Sequence, residues 1–231
     1  MSAPIAENLA AVRRRIAEAE RRAGRPAGSV ALIAVSKSQP ARAIQEALQA
    51  GQRVFGENRV QEALEKIAST GAGADWHLIG HLQSNKAKLV PGRFKAVQTV
   101  DSVKLATALG AHAAALGAVL EVMVQLNWTR EATKSGVQDW DGLRDVLACM
   151  HGLPALRATG LMTIPDPSFG ERQTREHFAL VSGLLERARR ELDPGPQFRE
   201  LSMGMSHDFE WAIEEGATVV RVGTAIFGTR E

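Results

Sequence analysis

The 231-residue chain contains no tyrosine and one cysteine, Cys149. The first absence removes the phenol as an acid or base. The second rules out an intramolecular disulfide and fits a reducing cytoplasm. The N-terminus lacks the apolar core of a secretory signal, and no apolar run approaches the length a bilayer span requires. An excess of one charge is missing too. With 28 Lys and Arg against 26 Asp and Glu, the net charge is +2, which gives no electrostatic case for nucleic acid or a membrane surface as partner. A small molecule is the expected ligand. No G-x-G-x-x-G follows the first strand, and no G-x-x-x-x-G-K-[ST] occurs anywhere, so the usual nucleotide loops of open α/β sheets are absent. No polar linker or shift in composition divides the chain, so residues 1–231 are expected to form one domain.

Ile5, Leu9, Val12 and Ile16 recur at helical spacing and predict an amphipathic helix over 6–23, ended by Gly24 and Pro26. Eight short apolar runs follow: ALIAVSK, RVFGE, WHLIGH, AVQTVD, VLEVMVQLN, LRATGLMTI, RELSM and TVVRVG. Helical patterns separate them, among them NRVQEALEKIA and the basic SNKAKLV. Strict βα alternation predicts a single (β/α)8 TIM-type barrel over about 31–231 with an extra N-terminal helix. An open doubly wound sheet is the alternative. The barrel is favoured because Lys37, Glu57, Asn58, His81, Asp101, Asn127, Ser202, Arg221 and Thr224 all fall at or after strand ends, which closure would gather at one mouth.

Three features carry candidate chemistry. Lys37 ends the first strand. A rim lysine would keep its ammonium in water, whereas a desolvated one could form a Schiff base. In ELSMGMSHDFEWAI, Ser202, Gly204 and Ser206 lie between a strand and a helix start, where hydroxyls and free N–H groups hold anions. Plain capping by Ser206, with Asp208 in the first turn, is the competing reading. In VVRVGTAIFG, Gly223 and Thr224 follow the last strand, and loops after strands seven and eight are the recurrent phosphate site of such barrels. Arg221 interrupts that strand, either in a salt bridge, for instance with Glu200, or against a ligand. A ligand with a carbonyl, a phosphate and a ring suits all three features. Pyridoxal 5'-phosphate (PLP), the vitamin B6 cofactor, has that combination.

The chain resembles the pyridoxal-phosphate homeostasis proteins, single PLP-binding barrels similar in fold to the barrel domain of alanine racemase. The likeness runs from AENLAAVRRRI to GTAIFG. It is most specific in LIAVSK, FGENRVQEALEK, WHLIGHLQSNK, TKSG, GLMTI, LSMGMSHDFEWAI and VRVGTAIFG. It implies an aldimine on Lys37, a phosphate held by Ser202, Ser206, Gly223 and Thr224, Arg221 at the pyridine nitrogen, Asn58 lining the ring or its substituents, and a ligand role for Met162. An arginine at that nitrogen disfavours the protonated ring and weakens its use as an electron sink. Alanine racemase draws a second base, a tyrosine, from a further domain; this sequence contains no tyrosine, and such a domain is not expected.

The expectation is therefore a cytoplasmic, monomeric, non-catalytic protein that buffers PLP or delivers it to apo-enzymes. A PLP-dependent, racemase-like enzyme acting on small amino acids is the alternative, with His81 as a conceivable base. A phosphate-binding barrel enzyme without PLP is a third reading. His77 and His81, four apart in a strand, would lie about 13 Å from each other, too far for one metal. Lys86, Lys88, Arg93 and Lys95 read as a solvated helix face, and Lys134 as a loop lysine.

Overall fold

Short strands flanked by amphipathic helices must bury two faces, and a closed parallel barrel does so without leaving a sheet edge. The computed structural model describes residues 4–129 and 135–228. Its strands are β1 (Ala31–Val35), β2 (Val54–Glu57), β3 (Asp75–Leu78), β4 (Ala96–Val100), β5 (Leu120–Leu126), β6 (Leu156–Thr163), β7 (Glu200–Ser202) and β8 (Val219–Val222). They close in chain order. β1 pairs with β2 on one side and β8 on the other, which sets Ile33 opposite Arg221. Closure, an expectation of the sequence, is thus observed.

The helices α1 (Ile5–Arg22), α2 (Ala41–Gln49), α3 (Val60–Thr70), α4 (Val103–Ala115), α5 (Trp140–His151), α6 (Glu171–Glu191), α7 (Phe209–Glu214) and α8 (Thr224–Phe227) surround the sheet. α1 buries Leu9, Val12 and Ile16 and packs against α2, α7 and α8. One expectation fails: SNKAKLV forms a 3-10 helix over Ser84–Leu89 rather than an α-helix. The run is short, and Pro91 has no N–H with which to continue it.

Side-chain alternation divides the core in two. The large outer cluster lies between sheet and helices. Inside the barrel, among the described residues, Ile33, Met123, Met162 and Val219 form a small buried apolar cluster, with Val54 and Ile164 against it. Polar groups fill much of the remaining interior. Among the described residues no helix is long and apolar enough to cross a membrane.

α7 has six residues, too few to persist alone. Arg15 pairs with Glu210 at 2.6 Å, Arg22 with Glu214 at 2.8 Å, and Arg175 with Glu214 at 2.7 Å and Glu215 at 3.2 Å. Arg15 also lies over the Phe209 ring, and Arg175 over Trp211. These contacts from α1 and α6 fix the helix that follows the β7 loop.

Candidate functional site

At the C-terminal ends of the strands lies a cavity of about 290 Å³. Lys37, Asn58, Ser206, Arg221, Gly223 and Thr224 all line it, with Val35, Ile79, Ile164, Met205 and His207 as the other walls. Residues from both ends of the chain meet because β8 closes on β1. The volume is at the lower limit for ligand pockets and suits a small molecule.

Lys37 follows Val35 on the inward row of β1, one residue beyond a buried Ser36. It sits in a turn in which the Gln39 N–H donates to the Ser36 carbonyl at 3.0 Å, and Ser38 is left-handed at φ 61°. Among the described residues, the Lys37 ammonium has no hydrogen-bond or ion-pair partner. Asn58 is placed by a close crossing of chains: a Cβ on Gly80 would lie 2.2 Å from the Asn58 carbonyl oxygen, so only glycine fits there.

Across the cavity, the Gly223 and Ala225 N–H groups donate to Ser206 Oγ at 3.3 and 3.4 Å. Ser206 therefore does not cap α7. The N-cap position belongs to Asp208, whose carboxylate instead accepts the Met205 N–H at 2.5 Å. Gly204 makes this loop possible, with φ 91° and a Cβ position only 2.6 Å from Ala212 Cβ. Thr224 is exposed at the start of α8. Burial raises the Asp208 carboxyl above its ordinary range, and the Met205 N–H and Arg221 oppose that rise.

Arg221 is held from below. Its guanidinium donates to Ser202 Oγ at 2.7 Å and to the Thr163 carbonyl at 2.8 Å. Ser202 Oγ donates to Gln98 Oε1 at 2.7 Å, and the Gln98 amide lies 3.2 Å from His77 Nδ1. An amide nitrogen only donates, so Nδ1 accepts and the His77 proton belongs on Nε2. Burial lowers His77 to about 4, with Lys95 adding to the effect and Asp75 opposing it. It therefore stays neutral at pH 7 and keeps this acceptor. Burial likewise lowers Arg221 to about 10, against the pull of Asp208, which leaves it cationic at pH 7.

Of the expected ligand contacts, Ser202 and Met162 do not line the cavity. β7 ends on it, its side chain is fully buried, and its hydroxyl is committed to Gln98 and Arg221. The Arg221–Glu200 salt bridge does not form, because the guanidinium bonds Ser202 and Thr163 while Glu200 bonds Thr159. Met162 belongs to the inner apolar cluster. His81 stands on the rim, 2.9 Å from Ser135 and 3.4 Å from Asp101, and His207 is the histidine in the cavity wall. Lys134 lies outside the described residues. Among those described, no cluster of three or more His, Cys, Asp or Glu could hold a metal.

Gln98 and His77 were not singled out as site residues by sequence. Their signal was a polar side chain in an otherwise apolar strand, as in AVQTV. A second unsuspected group lies behind Lys37, where Lys66 Nζ donates to the Ser36 carbonyl at 2.7 Å, Glu57 at 2.8 Å and Glu62 at 2.7 Å.

The cavity thus combines a primary amine, a hydroxyl-bearing turn at a helix start, and a buried cation. That donor set suits a small anionic carbonyl compound and fits PLP. The family model for the N-terminal domain of alanine racemase matches residues 8–231. The pyridoxal phosphate homeostasis protein of Pseudomonas aeruginosa PAO1 is 45% identical over 228 residues, covering 98% of this chain and 96% of that protein. The protein of the same name from Escherichia coli K12 is 44% identical over 235 residues, covering 98% and 97%. The structure of PipY from Synechococcus elongatus PCC7942 with PLP bound superposes with a TM-score of 0.85 at 39% identity, covering 97% of this chain and all of that one. The chain belongs to the pyridoxal phosphate homeostasis protein family, within the alanine racemase N-terminal-domain group.

Proposed function

We propose that this family member binds PLP covalently through Lys37 and buffers it or delivers it to apo-enzymes, without a robust catalytic cycle. The observation that carries the reading is the meeting of Lys37, Ser206, Arg221, Gly223 and Thr224 around one small cavity. Lys37 would supply the amine that condenses with the aldehyde, the carbonyl oxygen leaving as water. Gly223, Thr224 and Ser206 bind the phosphate, and Arg221, fixed by Ser202 and Thr163, meets the ring nitrogen. Bound PLP supplies an electron-withdrawing ring, and an unprotonated ring nitrogen beside a guanidinium limits that power. Asn58 orients the ring or its substituents. Ser202 acts through Arg221 rather than on the phosphate. The working state is a cytoplasmic monomer.

A racemase-like reading needs a second proton-transfer group at the cavity. Among the described residues His207 is the one histidine in its wall, and the sequence contains no tyrosine. Purified protein is expected to take up PLP in a form that borohydride fixes to Lys37, to lose this in Lys37→Ala, and to pass cofactor to an apo-enzyme. Efficient amino-acid turnover abolished by Lys37→Ala would sink the non-catalytic reading. Retention of the reducible attachment on another lysine in Lys37→Ala would sink the assignment of Lys37.

A further inference from the structure

Directly behind the turn that carries Lys37, on the outer face of the sheet, three ionisable side chains are packed together. Glu57 is fully buried on β2. The Lys66 side chain, from α3, is 9% exposed, and that of Glu62, one helical turn earlier, is 28% exposed. Lys66 spends its three donors on Glu57, Glu62 and the Ser36 carbonyl, so it is not a free amine. Ser36 Oγ donates to Glu57 at 2.6 Å, and the Ser36 N–H bonds the Gly56 carbonyl at 3.0 Å. On the other side of Lys37, the Ser38 N–H donates to Glu62 at 2.5 Å. Both neighbours of Lys37 are therefore tethered to one charged group.

The arrangement is costly. Two carboxylates share one ammonium away from bulk water, and among the described residues Glu57 Oε2 has no hydrogen-bond partner. Ser38 adopts a left-handed backbone that non-glycine residues avoid. Well-packed apolar residues would serve stability at least as well. What apolar residues could not do is grip the Ser36 carbonyl and the Ser38 N–H, the two groups that set the direction in which Lys37 leaves the strand.

We propose that Lys66, Glu57 and Glu62 form a clamp that fixes the Lys37 turn and so controls how readily Lys37 captures an aldehyde, with Lys66 as the positioning residue. This rests on the reading of Lys37 given above. The clamp touches neither the Ser206–Gly223 turn nor Arg221, so it acts on capture of the aldehyde and not on binding of phosphate or ring.

That separation gives the test. PLP and pyridoxine 5'-phosphate, which carries an alcohol in place of the aldehyde, are titrated into the full-length wild type, Lys66→Met, Glu62→Ala and Lys37→Ala. Lys66→Met is expected to weaken PLP relative to pyridoxine 5'-phosphate by about tenfold or more, and to slow borohydride-fixed labelling of Lys37. Glu62→Ala should shift the ratio in the same direction by less, and its partly exposed site keeps the test open if Lys66→Met does not fold. Wild-type affinity ratios in both variants, or parallel loss of both ligands, would overturn the clamp. Absence of borohydride-fixed cofactor in the wild type would instead overturn the assignment of Lys37, and the clamp with it.

Discussion

On the inner face of the barrel, Arg221, Ser202, Gln98 and His77 form a line of hydrogen bonds in which each donor meets one acceptor. On the outer face, Lys66 meets two carboxylates and a carbonyl, and one carboxylate oxygen of Glu57 is left without a partner among the described residues. The inner line buries a single charge among neutral dipoles and orients it through directional bonds. The outer group buries three ionisable side chains and relies on their mutual compensation. The first should therefore respond to a change of protonation at its far end, and the second to the removal of any member.

The largest expected effect tests the outer group. Lys66→Met leaves Glu57 buried without its counter-charge and should cost about 3–5 kcal/mol in chemical denaturation. Adding Glu57→Met should restore more than half of that loss. If it does not, charge compensation is not what holds the cluster together.

Next comes pH. The unfolded His77 imidazole binds a proton near pH 6.5, and the folded one only near 4. Between those values the unfolded chain holds more protons, so stability falls as pH falls, by up to about 3 kcal/mol. The carboxyls of Glu57, Glu200 and Asp208, raised by burial, act in the opposite direction. The His77 share is therefore read as the wild-type slope minus that of His77→Gln, and equal slopes would break the contrast.

A smaller loss is expected from Ser202→Ala. It strands one guanidinium N–H and the Gln98 carbonyl, at about 1–3 kcal/mol, while the cavity wall itself is untouched. Smallest of all is Arg42→Ala. This exposed partner of Glu46 should change the denaturation midpoint by less than about 0.5 kcal/mol and so calibrates the buried groups.

The same two regions show how far the sequence could be read. Lys37, Arg221, Gly223 and Thr224 were legible because each breaks or follows an apolar strand, and closure brings strand ends together. Ser202 looked equivalent, yet β7 stops at this residue and leaves it one layer below the mouth. Lys66 lies within the helical run NRVQEALEKIA, where no local pattern marks it as buried. Only the packing of α3 over β2 sets it against Glu57. The Gln98–Ser202 bond spans 104 residues and crosses the barrel from β4 to β7, a proximity that no local pattern encodes.

By itself the sequence determined the alternation of strands and helices, the likeness to a family, and the place of Lys37 at the end of the first strand, because these follow from local periodicity and from residue types at strand ends. Tertiary structure alone decided which hydroxyl reaches the cavity, what holds Arg221 beneath it, and what grips the turn around Lys37. Those outcomes depend on desolvation and hydrogen-bond geometry between segments that only barrel closure and helix packing bring together.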